Sequence, residues 1–333
     1  MRNVIYYISV IFAVLVALSQ CTRQDDFPVL KGPYLGQKPP GTTLALFAPG
    51  VVSKGEDEIL AIFTPDGKEL FYSTKDSTCP LTIMHVKQKN GVWTRPRVAS
   101  FSGKYYDCAS SVSPDGRFLF FVSMRPLKPG EPPFEVQNIW MLERRKNEWR
   151  NPTMLPPPIN SSARELGGTL TQDGYFYFST TREETIGGKC RSQWINGEFK
   201  QTENIHGFFN FKMPFFEIAR DPDEKYLIFV SYDQEDGFGG FDLYVSFDKY
   251  NDVWTNPKNM GERINTPANE HFPTFSPDGQ YLFFVSDRIS KEFQSKNGPT
   301  SEALQAMENH PQNGSSDIYW VDAKIIEELQ GVK

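Results

Sequence analysis

The sequence predicts an all-β fold: a five-bladed β-propeller of four-stranded blades, closed by an N-terminal strand. Three observations carry this expectation. A Pro-Asp-Gly string recurs five times in recognisable form, an almost wholly apolar strand follows each copy, and an aromatic residue followed by a proline marks the end of most repeats. The chain of 333 residues holds 27 Phe and 14 Tyr, with 25 Gly and 25 Pro, a mixture suited to short strands joined by tight turns.

The copies run in order along the chain. Thr64-Pro65-Asp66-Gly67 leads into Leu70-Phe71-Tyr72-Ser73, and Ser113-Pro114-Asp115-Gly116 into Phe118-Leu119-Phe120-Phe121-Val122-Ser123. Thr171-Gln172-Asp173-Gly174 leads into Tyr175-Phe176-Tyr177-Phe178-Ser179, with Gln172 in place of proline. Asp221-Pro222-Asp223-Glu224 leads into Tyr226-Leu227-Ile228-Phe229-Val230-Ser231, with Glu224 in place of glycine. Ser276-Pro277-Asp278-Gly279 leads into Tyr281-Leu282-Phe283-Phe284-Val285-Ser286. Each reads as a hairpin: proline fixes φ, Asp bonds back to the backbone, and Gly takes the positive φ that follows. A second strand that is apolar throughout is buried on both faces.

A third strand follows at Ile83-Met84-His85-Val86, Ile139-Trp140-Met141-Leu142, Leu243-Tyr244-Val245 and Ile318-Tyr319-Trp320-Val321. A fourth opens at Trp93-Thr94-Arg95-Pro96, Trp149-Arg150-Asn151-Pro152 and Trp254-Thr255-Asn256-Pro257, with Phe199 standing for the tryptophan in the third copy. Four strands in roughly 50 residues is the unit of a propeller blade. The fifth copy lacks a fourth strand downstream, and Leu44-Ala45-Leu46-Phe47-Ala48-Pro49 stands where one is needed. Pairing it with the last blade would remove the open edges. The propeller then spans 42–325, with a short tail at 326–333. A sixth blade between Thr181 and Phe216 has too little chain.

The N-terminus differs from the rest. Arg2 precedes an apolar run from Val4 to Leu18, short for a membrane span and suited to a secretory signal over residues 1–20. Leu18-Ser19-Gln20-Cys21 resembles a bacterial lipoprotein box, although Gln20 replaces the usual small residue. That resemblance implies acylation of Cys21 and a linker over 21–41. Asp25 and Asp26 resemble the acidic export tag of surface lipoproteins in Bacteroidetes-type bacteria. The Ser-Pro-Asp-Gly repeats resemble the WD-repeat-like propeller family typified by TolB, and the Bacteroidetes lipoproteins that carry the same module. Together these imply an outer-membrane-anchored protein of the cell envelope, periplasmic or surface-exposed, with a fold that does not specify an activity.

Strand order assigns the variation to one face. Seven residues before each turn proline position an acid recurs, as Glu58, Asp107, Glu165 and Glu270; a base recurs at the end of the second strand, as Lys75, Arg125, Arg182 and Arg288. The fourth blade breaks both positions together, with Phe215 and Asp233, which suggests that the two interact. Two readings stand: a ring of structural ion pairs, or charges lining a channel mouth that binds a cation or polar ligand. The long loops 288–316, 124–138 and 205–216 fall on the same face, the last containing Phe208, Phe209, Phe211, Lys212, Phe215 and Phe216. Loops on a rigid scaffold commonly carry function. These phenylalanines either anchor a partner or pack beneath their own loop, Phe208 and Phe209 being the more exposed.

Chemistry is sparse. No Gly-x-Ser-x-Gly elbow and no phosphate-cradling glycine loop is present. The histidines His85, His206, His271 and His310 are scattered; His271 and His206 start near the channel face, where Glu270 is the acid with which they could hold a metal. Cysteine spacing suits no metal, so neither a metal nor another cofactor is expected. Cys79, Cys108 and Cys190 leave either one disulfide, Cys79–Cys108 being the geometric candidate, or three thiols. The net charge of −6 gives no basic footprint for nucleic acid. Two functions remain: a non-catalytic envelope lipoprotein that binds a protein partner or a surface glycan through its loop-rich face, or a polysaccharide-acting hydrolase or lyase using channel-mouth carboxylates, with or without a divalent metal.

Overall fold

The turns fold by the chemistry of their residues. At Thr64-Pro65-Asp66-Gly67 the Thr64 hydroxyl donates to Asp66 Oδ1 at 2.6 Å and accepts the Glu69 amide at 3.0 Å, while Asp66 Oδ1 also accepts the Lys68 amide. The same set recurs around Ser113 and Asp115, and around Ser276 and Asp278. Gly67, Gly116, Gly174 and Gly279 all have φ between 65° and 84°, the left-handed conformation that glycine adopts without strain. The residue before the proline is thus a working part of the motif, because its hydroxyl closes the turn.

These turns join the strands of five antiparallel sheets. The computed structural model describes residues 27–75, 80–183, 185, 188–205, 216–221, 225–250, 253–291, 293, 300–307 and 310–331. The chain divides into two units, Met1–Leu30 and Lys31–Lys333. Of the first, residues 27–30 are described and carry no helix or strand.

The second unit is the five-bladed propeller. Blade 1 comprises Asp57–Phe63, Glu69–Lys75 and Thr82–Lys89, with Val92–Trp93 and Arg97–Val98 at its outer edge. Blade 2 comprises Asp107–Val112, Phe118–Ser123, Asn138–Arg145 and Glu148–Met154. Blade 3 has Glu165–Leu170, Tyr175–Thr180 and Lys189–Ile195, then Glu198–Phe199 and Glu203–Asn204. Blade 4 has Phe216–Arg220, Tyr226–Tyr232 and Phe241–Tyr250, then Val253–Trp254 and Lys258–Asn259. Residues 181–205 therefore complete blade 3 and leave no sixth blade.

Blade 5 is Glu270–Phe275, Tyr281–Ser286 and Asp317–Asp322, finished by Ala45–Leu46 from the other end of the chain. Ala45 pairs with Trp320 and Leu46 with Tyr319, antiparallel, and the Phe47 amide donates to the Ile318 carbonyl at 2.8 Å. The expected ring closure is the observed one.

The core lies between blades. Along the second strand of blade 2, Phe121 packs with Phe71 and Ile62 of blade 1, whereas its neighbour Phe120 packs with Phe176 and Phe178 of blade 3. Alternate side chains feed opposite interfaces, which is why these strands contain no polar face. Burying each such side chain contributes roughly 1.5–3 kcal/mol. At the closing seam Phe47 is fully buried against Phe63, Phe283 and Trp320.

Packing begins earlier and ends later than strand counting alone implies. Tyr34, in a short 3₁₀ turn at Tyr34–Gly36, sets its ring 5.0–5.6 Å from those of Tyr281, Trp320 and Phe63, and Trp93 Nε1 donates to the Gly32 carbonyl. Helix α1, Ser301–Met307, lies in the long loop of blade 5. Helix α2, Lys324–Gln330, buries Ile325 and Ile326 in the blade 4–blade 5 core and ends at Gly331 with φ 81°. Tail residues from 326 onward thus include part of a packed helix.

Candidate functional site

One face of the ring carries the Pro-Asp-Gly turns; the opposite, upper face carries the recurring acids and, among the described residues, the long connections within blades 2 and 5. The acids Glu58, Asp107, Glu165 and Glu270 are buried at the start of the inner strands of blades 1, 2, 3 and 5. Asp107, Glu165 and Glu270 are all fully buried, and each is met by the arginine of its own blade: Arg125 Nη2 lies 2.8 Å from Asp107, Arg182 Nη2 3.1 Å from Glu165, and Arg288 Nη2 3.0 Å from Glu270. Each acid also accepts a hydroxyl from the second strand, from Ser123, Thr180 and Ser286. The arginines lie over buried rings as well: Arg125 over Phe121 and Trp140, Arg182 over Phe178, Arg288 over Phe284 and Tyr319. Burial pushes the Glu270 carboxyl up, opposed by the Arg288 charge and the Thr266 and Ser286 hydrogen bonds.

Blade 1 departs from this pattern. Register sets Glu58 opposite Thr74, as Asp107 is opposite Ser123, so the position equivalent to the arginines is Asp76, outside the described residues. Lys75 is a different position: it pairs in register with Asp57 and is exposed. The expected Glu58–Lys75 member of the ion-pair series is therefore not formed. Glu58 is 1% exposed with no ion pair among the described residues, and burial pushes its carboxyl up to about 9, helped by the Asp317 and Glu56 charges. Asp317 comes from the neighbouring blade 5. It is fully buried, accepts the Gln312 amide on Oδ2 and has no partner for Oδ1 among the described residues; burial raises it to about 6.

A second group, from blades 3, 4 and 5, joins His271 to two residues that pattern reading missed, Lys189 and Glu217. Lys189 occupies the position held by Ile83, Ile139, Leu243 and Ile318 in the other blades, each of which likewise accepts the chain entering the next blade on its carbonyl. Its amine donates to Ser179 Oγ at 2.5 Å, and burial brings it down to about 8, against the pull of Glu217. Glu217 sits at the bulge of the blade 4 inner strand with φ 37°. Its Oε2 accepts the Phe272 amide at 2.6 Å and lies 3.8 Å from His271 Nδ1. Leu60, Gly167 and Phe272 occupy the same bulge position with φ of 50–63°, so the kink belongs to the blade design.

His271, half-buried, therefore faces Glu217 and the ring of Phe241 at 4.6 Å, whereas the Glu270 beside it in sequence turns to Arg288. Among the described residues no group of three or more His, Cys, Asp or Glu is arranged to hold a metal ion. Cys108 and Cys190 form no disulfide. Burial pushes the Cys108 thiol up to about 12. His85 is packed inside its strand, stacked on Phe71 at 4.5 Å and bonded to Glu69 at 2.7 Å. Cys21, Cys79, His206, Phe208, Phe209, Phe211, Lys212 and Phe215 lie outside the described residues.

Two further devices shape the face. Asn160 and Asn265 each bracket a third-strand residue, Oδ1 accepting its amide and Nδ2 donating to its carbonyl (Ile139 and Leu243) at 2.8–2.9 Å. The residue after each, Ser161 or Thr266, donates its hydroxyl to the buried Glu165 or Glu270. Both belong to a repeated string, Ile159-Asn160-Ser161 to Glu165 and Ile264-Asn265-Thr266 to Glu270, which was readable in the sequence. A groove of about 640 Å³ opens beside this device in blade 3, lined by Pro157, Pro158, Ser161, Thr181, Arg182 and Glu183 among others.

No family model matches the chain, and no curated protein does. Solved structures that are similar in fold include TolB from Acinetobacter baumannii, at 14% identity and TM-score 0.45, over 80% of this chain and 54% of that one. The putative TolB from Agrobacterium tumefaciens has 16% identity and TM-score 0.42, over 69% and 70% of the two chains. An α-L-arabinofuranosidase from Lactobacillus brevis has 10% identity and TM-score 0.46, over 81% and 91%. The match to the first spans about half of that protein's length.

Proposed function

We propose that this chain is a lipid-anchored protein of the cell envelope whose propeller is a non-catalytic docking scaffold, engaging an envelope protein or a surface glycan through its upper face. The observation that carries this reading is the fate of the channel-mouth acids. Asp107, Glu165 and Glu270 are buried and each is held by an arginine and a hydroxyl, so they brace the blades and are not offered to a substrate. A glycosidase needs two carboxyls facing one sugar bond with separate roles. Glu58 has the raised affinity for a proton that a general acid needs, but at 1% exposure it does not reach a sugar.

What the described part of the face offers is loops on a rigid base: the connection of residues 124–137 in blade 2 and the one that carries helix α1 in blade 5. The lipid anchor rests on the Leu18–Cys21 string and would hold this scaffold at the outer membrane.

The test is capture of the intact protein from native membranes followed by mass spectrometry. A stoichiometric envelope protein, lost when residues 208–216 are replaced by a Gly-Ser linker, is the expected result. An uncaptured protein that cleaves a polysaccharide when screened with added metals would overturn it in favour of catalysis.

A further inference from the structure

Asp242 is a buried carboxylate with one oxygen unused. It lies at the start of the third strand of blade 4, is 2% exposed, and accepts the Phe238 amide at 2.8 Å and the Gly239 amide at 3.4 Å, both on Oδ2. Oδ1 is buried and has no hydrogen-bond partner among the described residues. Blade 2 shows what suits this position. There Asn138, opposite Ser123 as Asp242 is opposite Ser231, donates Nδ2 to the Val136 carbonyl two residues earlier. A carboxylate has no hydrogen to give, so its second oxygen calls for a positive group instead.

The loop that supplies these amides, residues 233–240, wraps around the carboxylate. A Cβ at Gly237 would stand 2.8 Å from Asp242 Oδ2 and 3.0 Å from the Gln234 carbonyl, so the chain passes this closely only as glycine. Asp236 joins from the same loop and is fixed at two points. Its Oδ1 accepts the Tyr244 hydroxyl at 2.8 Å, and its carbonyl accepts Asn259 Nδ2 at 3.1 Å. Burial pushes the Asp242 carboxyl up, and the Asp236 charge adds to that effect against the pull of the two amides. No lysine, arginine or histidine occurs between Lys225 and Lys249.

Enclosure decides the size of the missing group: an oxygen shut in by its own loop is reached by an ion and not by a lysine or arginine side chain. Chemistry decides its kind. The loop offers carboxylates and backbone carbonyls without histidine or cysteine, a set for a hard cation. Two acids converge here rather than three. That suits calcium, which completes its roughly six to eight oxygens with carbonyls and water, whereas magnesium demands a near-ideal octahedron and dehydrates reluctantly.

We propose that Asp242 and Asp236, with the loop of residues 233–240 wrapped around them, form a site for a calcium ion. The site is independent of the docking reading: the ion would fix one loop of the upper face whatever that face binds.

The probe is terbium(III), a luminescent stand-in for calcium, titrated into the full chain in detergent with excitation through tyrosine; Tyr244, bonded to Asp236, is the antenna. Saturable emission is expected, displaced by calcium at about 10⁻⁴–10⁻³ M, the range of weak extracellular sites, and far less by magnesium. Asp242→Asn keeps a carbonyl oxygen for the Phe238 amide and copies Asn138, yet should weaken terbium binding about tenfold. Asp236→Asn, at an exposed position, should weaken it several-fold, and it carries the test if Asp242→Asn melts early without the ion. Glu148→Gln, an exposed acid in blade 2, should leave binding unchanged. Calcium should also raise the melting temperature of the wild type and not that of Asp242→Asn. Wild-type affinity in both loop variants would mean an adventitious ion on the exposed acids only. That result, or no saturable emission from the wild type, would overturn the inference.

Discussion

Glu58 and Glu270 are the same residue at the same blade position, and they differ only in what surrounds them. Glu270 has Arg288 at 3.0 Å, whereas Glu58 has a neighbouring carboxyl, Asp317, and a carboxyl raised to about 9 by burial. A folded-state value above the unfolded one, about 4.3 for glutamate, means that the folded chain binds the proton more tightly. The stabilisation is fully present below the unfolded value and is lost as pH rises through 9. Lys189 works the other way: its amine is lowered to about 8, so the cost of burying its charge applies below 8 and is relieved as pH climbs toward the unfolded value. Between pH 5 and 8 the Glu58 effect therefore acts alone of the two, and the melting temperature should fall across that window. Glu58→Gln should flatten the decline and gain about 2 kcal/mol, or some 5 °C, at pH 8. A wild-type profile that is flat or rises from pH 5 to 8, with no gain for the variant, would remove this account of blade 1. Removing a partner from a braced blade should do the opposite. Arg288→Met leaves Glu270 buried without its cation and should cost about 3–5 kcal/mol, much of it recovered by adding Glu270→Gln; chemical denaturation of the single and double variants measures both.

At the scale of elements, the closing strand is short but it completes the ring. Ala45–Leu46 contributes two paired residues, while Phe47 next to it is fully buried among Phe63, Phe283 and Trp320. Phe47→Ala should therefore cost about 3–5 kcal/mol and expose the edge of Asp317–Asp322, read as a lower denaturation midpoint with earlier protease cleavage near residue 45. The turn motif and this strand were legible because their chemistry is local: proline, aspartate and glycine each do one thing in a turn, and a missing fourth strand can be counted. The bulges were not legible, because Leu60, Glu217 and Phe272 take a positive φ without being glycine. The ion-pair series was legible in blades 2, 3 and 5 and misassigned in blade 1, since a one-residue slip from Asp76 to Lys75 puts the wrong charge in the series and only register reveals it. Asn160 and Asn265 stood in a visible repeat but lie in the crossings between blades, away from the turn string that anchored the alignment. Lys189 replaces an aliphatic residue at a core position, and no local pattern marks such an exchange.

Over the whole molecule the two faces have different jobs. The lower face repeats one hydrogen-bonded turn from blade to blade, with Thr64, Ser113, Thr171 and Ser276 in the same role. The upper face repeats only its bracing and varies in everything above it, from helix α1 in blade 5 to the acidic, aromatic loop of blade 4. Uniform faces suit structure and varied ones suit recognition, and the fold itself leaves the choice of partner to the loops. The direct measurement is site-specific photo-crosslinking in intact cells, with a photoreactive residue at Tyr232 on the upper face or at Asp66 in a lower-face turn. The account predicts a discrete crosslinked partner from position 232 and none from position 66. A partner captured from position 66 alone would place recognition on the turn face and contradict it.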